Sequence, residues 1–387
     1  MAKLIYLDNA ATTFPKPDVV YDFMYDFFKS KGVNPGRSGF DAALETEEIV
    51  EKTRKMLTEL FNGGKDYNRL TFSYNATDSL NLIINGLIEK GDHVVTTMLE
   101  HNSVLRPLYV HSEAGTIDVS YVPFNEDGYV CPDDVAKAIR KNTKFVVVNH
   151  CSNVVGTVQP IAEIGKICRE KGVIFVVDGS QGAGAVEVDM QASNIDVYVF
   201  TGHKCLMGPT GIGGSYVREG VHIKHTRAGG TGVRSAYRAH LEEYPYRLEY
   251  GTLNLLGVAG LYAGVTWIVE QGIMNIHERE MALWDKLYSG IKNIAGVTTY
   301  CANGKFDRNP VLSFNINGFE AGDIGTMLDV DHDIAVRTGL QCAPLVHERM
   351  GTLEKHGTVR ISIGPFTTEA EIDAAIEAVS EIASLRN

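Results

Sequence analysis

Short apolar runs alternate with amphipathic stretches along most of this chain. Residues 69–73, 94–97, 145–148, 173–177 and 197–200 are brief, mostly aliphatic or aromatic, and each is followed by polar residues. Apolar runs of that length predict strands buried on both faces, the state of a parallel sheet covered by helices. The stretches between them carry apolar residues at helical spacing, as in 19–29, 42–61, the run holding Leu80, Ile83, Ile84 and Leu87, and 161–171. In 42–61 the acids Glu45, Glu47 and Glu48 precede the basic residues, the order that complements a helix dipole. Residues 255–291 read as one long helix, broken or bent near Gly272. A strand at 311–316, a helix around 322–329, a strand at 358–363 and a closing helix at 369–385 describe a smaller lobe. The pattern predicts an α/β fold: a large domain with a mainly parallel sheet, residues 15–257, and a smaller α+β domain built from 1–14 and 258–387.

What closes each apolar run changes the picture from fold to chemistry. Asn75, Ala76, Thr77 and Asp78 follow the first, His101 the second, Asn153 the third, Asp178 and Gln181 the fourth, and Thr201, Gly202, His203 and Lys204 the fifth. Parallel strands present their carboxyl ends on one rim, so Thr77, His101, Asn153, Asp178, Gln181, His203 and Lys204 are predicted to converge on a single crevice. Singly, each has a plain structural reading: Lys204 is a solvated strand-end charge, and Asn75, Thr77 or Asp78 is a helix cap. Together they offer an amine for a Schiff base, a desolvated carboxylate that needs a cationic partner, a helix N-terminus for phosphate, and the flat ring of His101. That set describes a pyridoxal 5′-phosphate site.

Composition narrows the setting. A formal net charge of −12 over 387 residues excludes a basic nucleic-acid surface. The first residues run directly into the polar turn at 8–13, without the apolar core of a signal peptide, and no stretch has the length of a membrane span; a cytoplasmic protein that touches no membrane is expected. The six cysteines lack metal-site or disulfide spacing, so no metal is expected and the thiols are taken as reduced. Arg37, in the loop at 34–39, reads as either a solvated charge or an anion contact.

Several motifs occur in one order from end to end: Leu7-Asp8-Asn9-Ala10-Ala11-Thr12-Thr13, Asn75-Ala76-Thr77-Asp78-Ser79, Glu100-His101-Asn102-Ser103, Val177-Asp178-Gly179-Ser180-Gln181, Gly202-His203-Lys204 with Gly208-Pro209-Thr210-Gly211, Arg337-Thr338-Gly339 before Cys342, and Val359-Arg360-Ile361-Ser362. With them the chain resembles the class V aminotransferase family of fold-type I pyridoxal-phosphate enzymes, and within it the cysteine desulfurases and selenocysteine lyases. The resemblance implies that Lys204 binds the cofactor aldehyde, Asp178 pairs with the ring nitrogen, His101 stacks on the ring, and Gln181 holds the ring hydroxyl, with Asn153 near it and near the substrate. Ala76, Thr77, Thr201 and His203 would hold the phosphate, and Thr252 would reach across from the second subunit of a homodimer. Arg360 would bind the carboxylate of L-cysteine. Cys342 would take the substrate sulfur as a persulfide and pass it to a protein or small-molecule acceptor, leaving L-alanine, with His101 as proton carrier. Such sulfur transfer serves iron–sulfur cluster assembly among other ends. Selenocysteine lyase, a transaminase and another C–S lyase share the same scaffold. The short segment between Cys342 and Arg360 resembles group II members, many of which have histidine where Gln341 stands, so the acid–base surroundings of Cys342 differ from theirs. Cys205, beside Lys204, is a second thiol to account for.

Overall fold

The computed structural model describes residues 4–35, 40–302 and 306–385. Arg37 lies outside the described residues. Seven strands form a large sheet in the order Leu70–Ser73, Gly213–Val217, Val197–Thr201, Ile174–Asp178, Thr143–Asn149, Asp92–Thr97 and Ile117–Val122. Gly213–Val217 runs against both neighbours, and every other adjacent pair is parallel.

Successive strand residues point to opposite faces, and here each face has its own core. Phe175, Val177, Tyr198 and Phe200 pack on one side with helices Asp41–Leu60 and Ile161–Lys171. Val176, Val197 and Val199 pack on the other with helices Ala76–Leu87 and Asn102–Glu113. Double coverage is why these runs are mostly apolar, their polar positions being largely buried hydroxyls such as Thr71, Thr96 and Thr97. The same rule hides two strands: Ile117–Val122 is a partly exposed edge with mixed polarity, and Gly213–Val217 begins with glycines that read as loop.

A second sheet has four antiparallel strands in the order Arg337–Gly339, Thr358–Ser362, Val311–Ile316 and Val297–Tyr300. Leu287 of helix Ile273–Ile291, Leu328 of helix Ala321–His332 and Val379 of helix Glu369–Ser384 join Phe314 and Ile361 in its core. Strand Ile5–Tyr6 pairs in parallel with Ile334–Ala335, and Leu7 is buried in this core.

The helices on either side of Gly272 contribute to different cores. Helix Leu255–Gln271 places Val258, Leu261, Val265 and Ile268 in the core of the large domain, whereas Ile273–Ile291 places Leu283, Trp284 and Leu287 in the small one. The first of these helices is apolar on nearly all sides, so no polar stripe betrays which sheet it serves. Gly272, at φ 81°, separates the two helices in a backbone conformation that L side chains rarely adopt. Inside the first helix, Gly264 permits close packing on the turn after Lys204: a Cβ there would lie 2.5 Å from the Leu206 carbonyl oxygen.

Candidate active site

The carboxyl ends of the parallel strands open into a cavity of about 530 Å³, and residues of the small domain close its other side. Of the residues singled out in the sequence, Ala76, Thr77, His101, Asn153, Asp178, Gln181, Thr201, His203, Lys204, Cys342 and Arg360 all line it. Thr252 does not. It is exposed and lines a separate cavity of about 590 Å³, between the glycine-rich stretch at 229–232 and helix Asp41–Leu60.

Strand Val197–Thr201 delivers Lys204 to the floor. The turn holding it is fixed through the His203 carbonyl, which accepts from Thr12 Oγ1 at 3.0 Å, Lys16 Nζ at 2.5 Å and Thr13 N at 3.2 Å. Burial lowers the pKa of the Lys204 ammonium, against the opposing attraction of Asp178, and Arg360 lowers it further. A neutral amine, the form that attacks a carbonyl, is thereby favoured. Asp178 ends the neighbouring strand and is nearly fully buried. Its Oδ1 accepts from Ser180 N at 2.9 Å and from the Ser180 hydroxyl. A buried carboxylate so oriented suits a protonated ring nitrogen.

His101 caps helix Asn102–Glu113 and its Nδ1 accepts from Ser103 N at 3.0 Å, which leaves the ring proton on Nε2. Burial depresses its pKa, so the ring is neutral. One end of the site is marked by what lacks a partner. Thr201 Oγ1 and His203 Nδ1 are buried without a hydrogen bond, and burial lowers the His203 pKa to about 4. Asn75 caps helix Ala76–Leu87 by accepting from Asp78 N, and the preceding amides of Ala76 and Thr77 have no partner among the described residues. Orphaned donors at a helix N-terminus beside an orphaned hydroxyl fit a phosphate.

On the small-domain side, Arg360 is buried, donating to the Asn153 carbonyl at 2.9 Å and to Asp8 Oδ1 at 2.5 Å, while its Nε has no partner. Asn153 Nδ2 donates to the Gln341 carbonyl at 2.7 Å, and Gln181 Nε2 donates to the Ala10 carbonyl at 2.8 Å, leaving the Gln181 oxygen as a free acceptor. Cys342 is exposed on the rim, and its carbonyl accepts from Asn102 N at 2.7 Å. Two other thiols stand near: Cys151 lines the cavity and Cys205 adjoins Lys204. Burial raises the pKa of Cys151 well above the ordinary thiol range and pushes Cys205 up to about 12, so both are neutral and poor nucleophiles.

Residues without a role in the sequence reading also shape the site. Asp8 pairs with Arg360, Ser180 orients Asp178, and Lys16 braces the Lys204 turn. Glu100, next to His101 in sequence, accepts from Thr97 Oγ1 and Asn149 N, and burial pushes its pKa up to about 8. For Asp8, Ser180 and Glu100, presence in the motifs above was the one signal available; Lys16 lies outside them.

The sequence profile of class-V aminotransferases matches residues 5–375. The chain belongs to the class-V aminotransferase family. A probable cysteine desulfurase of Methanothermobacter thermautotrophicus is 33% identical to it over 386 residues, spanning 98% of this chain and 95% of the relative. A cysteine desulfurase of Escherichia coli O157:H7 is 30% identical, over 98% and 93%. The apo structure of a cysteine desulfurase from Thermococcus onnurineus superposes with a TM-score of 0.91 at 32% identity, covering 98% of this chain and 95% of the other. Class-V aminotransferases use pyridoxal 5′-phosphate, and the orphaned Thr201 and His203 atoms, the free amides at Ala76 and Thr77 and the buried Asp178 fit that group. None of the described helices is long and apolar enough to cross a membrane.

Proposed function

We propose that this protein is a cysteine desulfurase that converts L-cysteine to L-alanine and holds the sulfur as a persulfide on Cys342. The observation that carries this is the meeting of Lys204 and Asp178 on the floor of a cavity with an exposed thiol, Cys342, on its rim. Lys204 is the residue for the cofactor aldehyde, Asp178 for the ring nitrogen, and Ala76, Thr77, Thr201 and His203 for the phosphate. His101 would stack on the ring, and Gln181 would hold its hydroxyl, with Asn153 near it and near the substrate. When bound, pyridoxal phosphate supplies an electron sink for negative charge at the substrate Cα.

Arg360 takes the substrate carboxylate with a planar pair of donors. Lys204, its ammonium destabilised by burial, accepts the Cα proton. The Cys342 thiolate attacks the substrate sulfur; the S–S bond forms as the substrate C–S bond breaks. His101, neutral with a proton on Nε2, moves protons so that the carbon skeleton leaves as alanine. Cysteine and enzyme thiol thus yield alanine and enzyme persulfide, with no other reactant. The persulfide then passes to an external acceptor. Mass spectrometry of the holoenzyme after L-cysteine tests this directly: one added sulfur on the Cys342 peptide and equimolar alanine are expected, and keto acid with an unmodified Cys342 would point to a transaminase.

Two further features belong to the proposal. The exposure of Thr252, outside its own cavity, supports a homodimer in which it completes the phosphate site of the partner subunit. Thr252→Ala is then expected to weaken cofactor retention without loss of the dimer in sedimentation. Six free thiols without a disulfide support a cytoplasmic setting.

A further inference from the structure

Gln341 and Cys342 have φ angles of 41° and 58°, both in the left-handed region. Neither is glycine, and an L side chain keeps this conformation only where its surroundings hold it. The thiol therefore stands on a strained backbone, and something must keep it there.

The restraint runs inward from Gln341, whose side chain is buried under the loop. Its Nε2 donates to the Thr358 carbonyl at 2.9 Å, a group that only accepts, and this fixes the amide orientation. Its Oε1 therefore faces His347 Nε2, at 2.9 Å, and that nitrogen must be the donor. His347 Nδ1 is then the bare acceptor and takes the Thr352 hydroxyl at 2.8 Å. Thr352, His347 and Gln341 thus form one connected series that ends on the Thr358 carbonyl. His347 is fully buried, and burial keeps it neutral by lowering its pKa to about 4. It does not line the cavity and touches no residue assigned to the cofactor.

We propose that His347 is a positioning residue for Cys342: acting through Gln341, it holds the thiol on the cavity rim in the backbone conformation from which it meets the substrate sulfur. This rests on Cys342 being the persulfide-forming thiol. Without the His347 donor, Gln341 Oε1 loses its strongest partner, because Thr358 Oγ1 is 3.4 Å away. The two left-handed residues then relax, and Cys342 leaves the position set by Asn102 N and by the Asn153 tie to Gln341.

The test compares holoenzymes of the unmodified protein, His347→Ala, His347→Gln, Gln341→Ala and the alanine double variant. Three readouts are taken: alanine formation, the change in the cofactor's visible absorbance on adding L-cysteine, and the rate at which iodoacetamide alkylates Cys342, followed on its peptide. His347→Ala is expected to lower kcat about tenfold, the size of the strain it releases, with KM and the absorbance response retained. Its Cys342 alkylation rate shifts by a similar factor. His347→Gln, whose amide can donate to Gln341 Oε1, restores both to within about threefold. The double variant is no worse than the worse single one, because the two residues act as one unit.

Unchanged kcat and alkylation in His347→Ala would overturn the proposal, as would additive losses in the double variant or failure of His347→Gln to restore either readout. If His347→Ala does not fold, the loss in Gln341→Ala and the retention in His347→Gln decide it alone. Failure of the desulfurase assignment is separately visible, as absence of added sulfur on Cys342 in the unmodified enzyme; the alkylation rates remain readable in that event.

Discussion

Replacing Arg360 with lysine removes the planar fork while keeping the charge. In the structure the guanidinium gives one nitrogen to the Asn153 carbonyl at 2.9 Å and another to Asp8 Oδ1 at 2.5 Å, and leaves Nε buried without a partner. A lysine ammonium at the end of a flexible stem cannot meet Asn153, Asp8 and a substrate carboxylate in that geometry. The loss is about one charge-assisted hydrogen bond to the substrate, roughly 1.5–3 kcal/mol, or about 10- to 150-fold in kcat/KM at 1.4 kcal/mol per decade. Because the carboxylate contact is the same before and during the reaction, the loss belongs mainly in KM. The assay is steady-state alanine formation from L-cysteine, with cysteamine, which lacks the carboxylate, as reference substrate. Arg360→Lys should lose its disadvantage on cysteamine. A fall in kcat with unchanged KM, or an equal loss on both substrates, would refute the carboxylate role and leave Arg360 as a support for Asn153.

Glu280 is buried with its pKa pushed up to about 8, so it is protonated when folded and ionises near 4.5 when unfolded. Its contribution is complete below 4.5 and is lost as pH rises toward 8, at up to about 1.4 kcal/mol per pH unit; Glu280→Gln should raise the thermal midpoint at pH 8 more than at pH 5, and an equal change at both would refute this. Gly264→Ala forces a Cβ to within 2.5 Å of the Leu206 carbonyl, so a loss of about 1–3 kcal/mol in denaturant stability is expected, together with faster cofactor release. Arg54 and Glu249 form a buried pair with two bonds of 2.7 Å. Arg54→Ala strands a buried carboxylate and should cost about 3–5 kcal/mol in chemical denaturation, while a paired apolar replacement of both should cost far less.

The strand ends explain why so much of the site could be read in the sequence. Buried parallel strands carry few ionisable positions, so the residues that close the apolar runs, such as Asp178 and His203, stand out against them. Cys342 and Arg360 carry no such contrast; they were legible only through the motifs around them. Contacts across hundreds of residues left no mark at all: nothing local ties Asp8 to Arg360 or Lys16 to His203. Which core the helix Leu255–Gln271 enters is illegible for the complementary reason, since a segment buried on all sides has no periodicity to reveal it. Gln341 was visible as a departure from relatives, but its partner His347 was not, because a histidine on a short helix has no signature until a neighbour meets it.

Strand Ile5–Tyr6 closes its sheet only against Ile334–Ala335, and Ala10 N is held by Ser362 Oγ, 352 residues later. A chain emerging from the ribosome therefore carries the brace for its lysine turn, Thr12 and Lys16, long before the strands that anchor that brace exist. The large domain can fold during synthesis, but its cavity is finished only when residue 362 is available. The contact that anchors Ala10 through Ser362 Oγ is for this reason among the last to form in biogenesis.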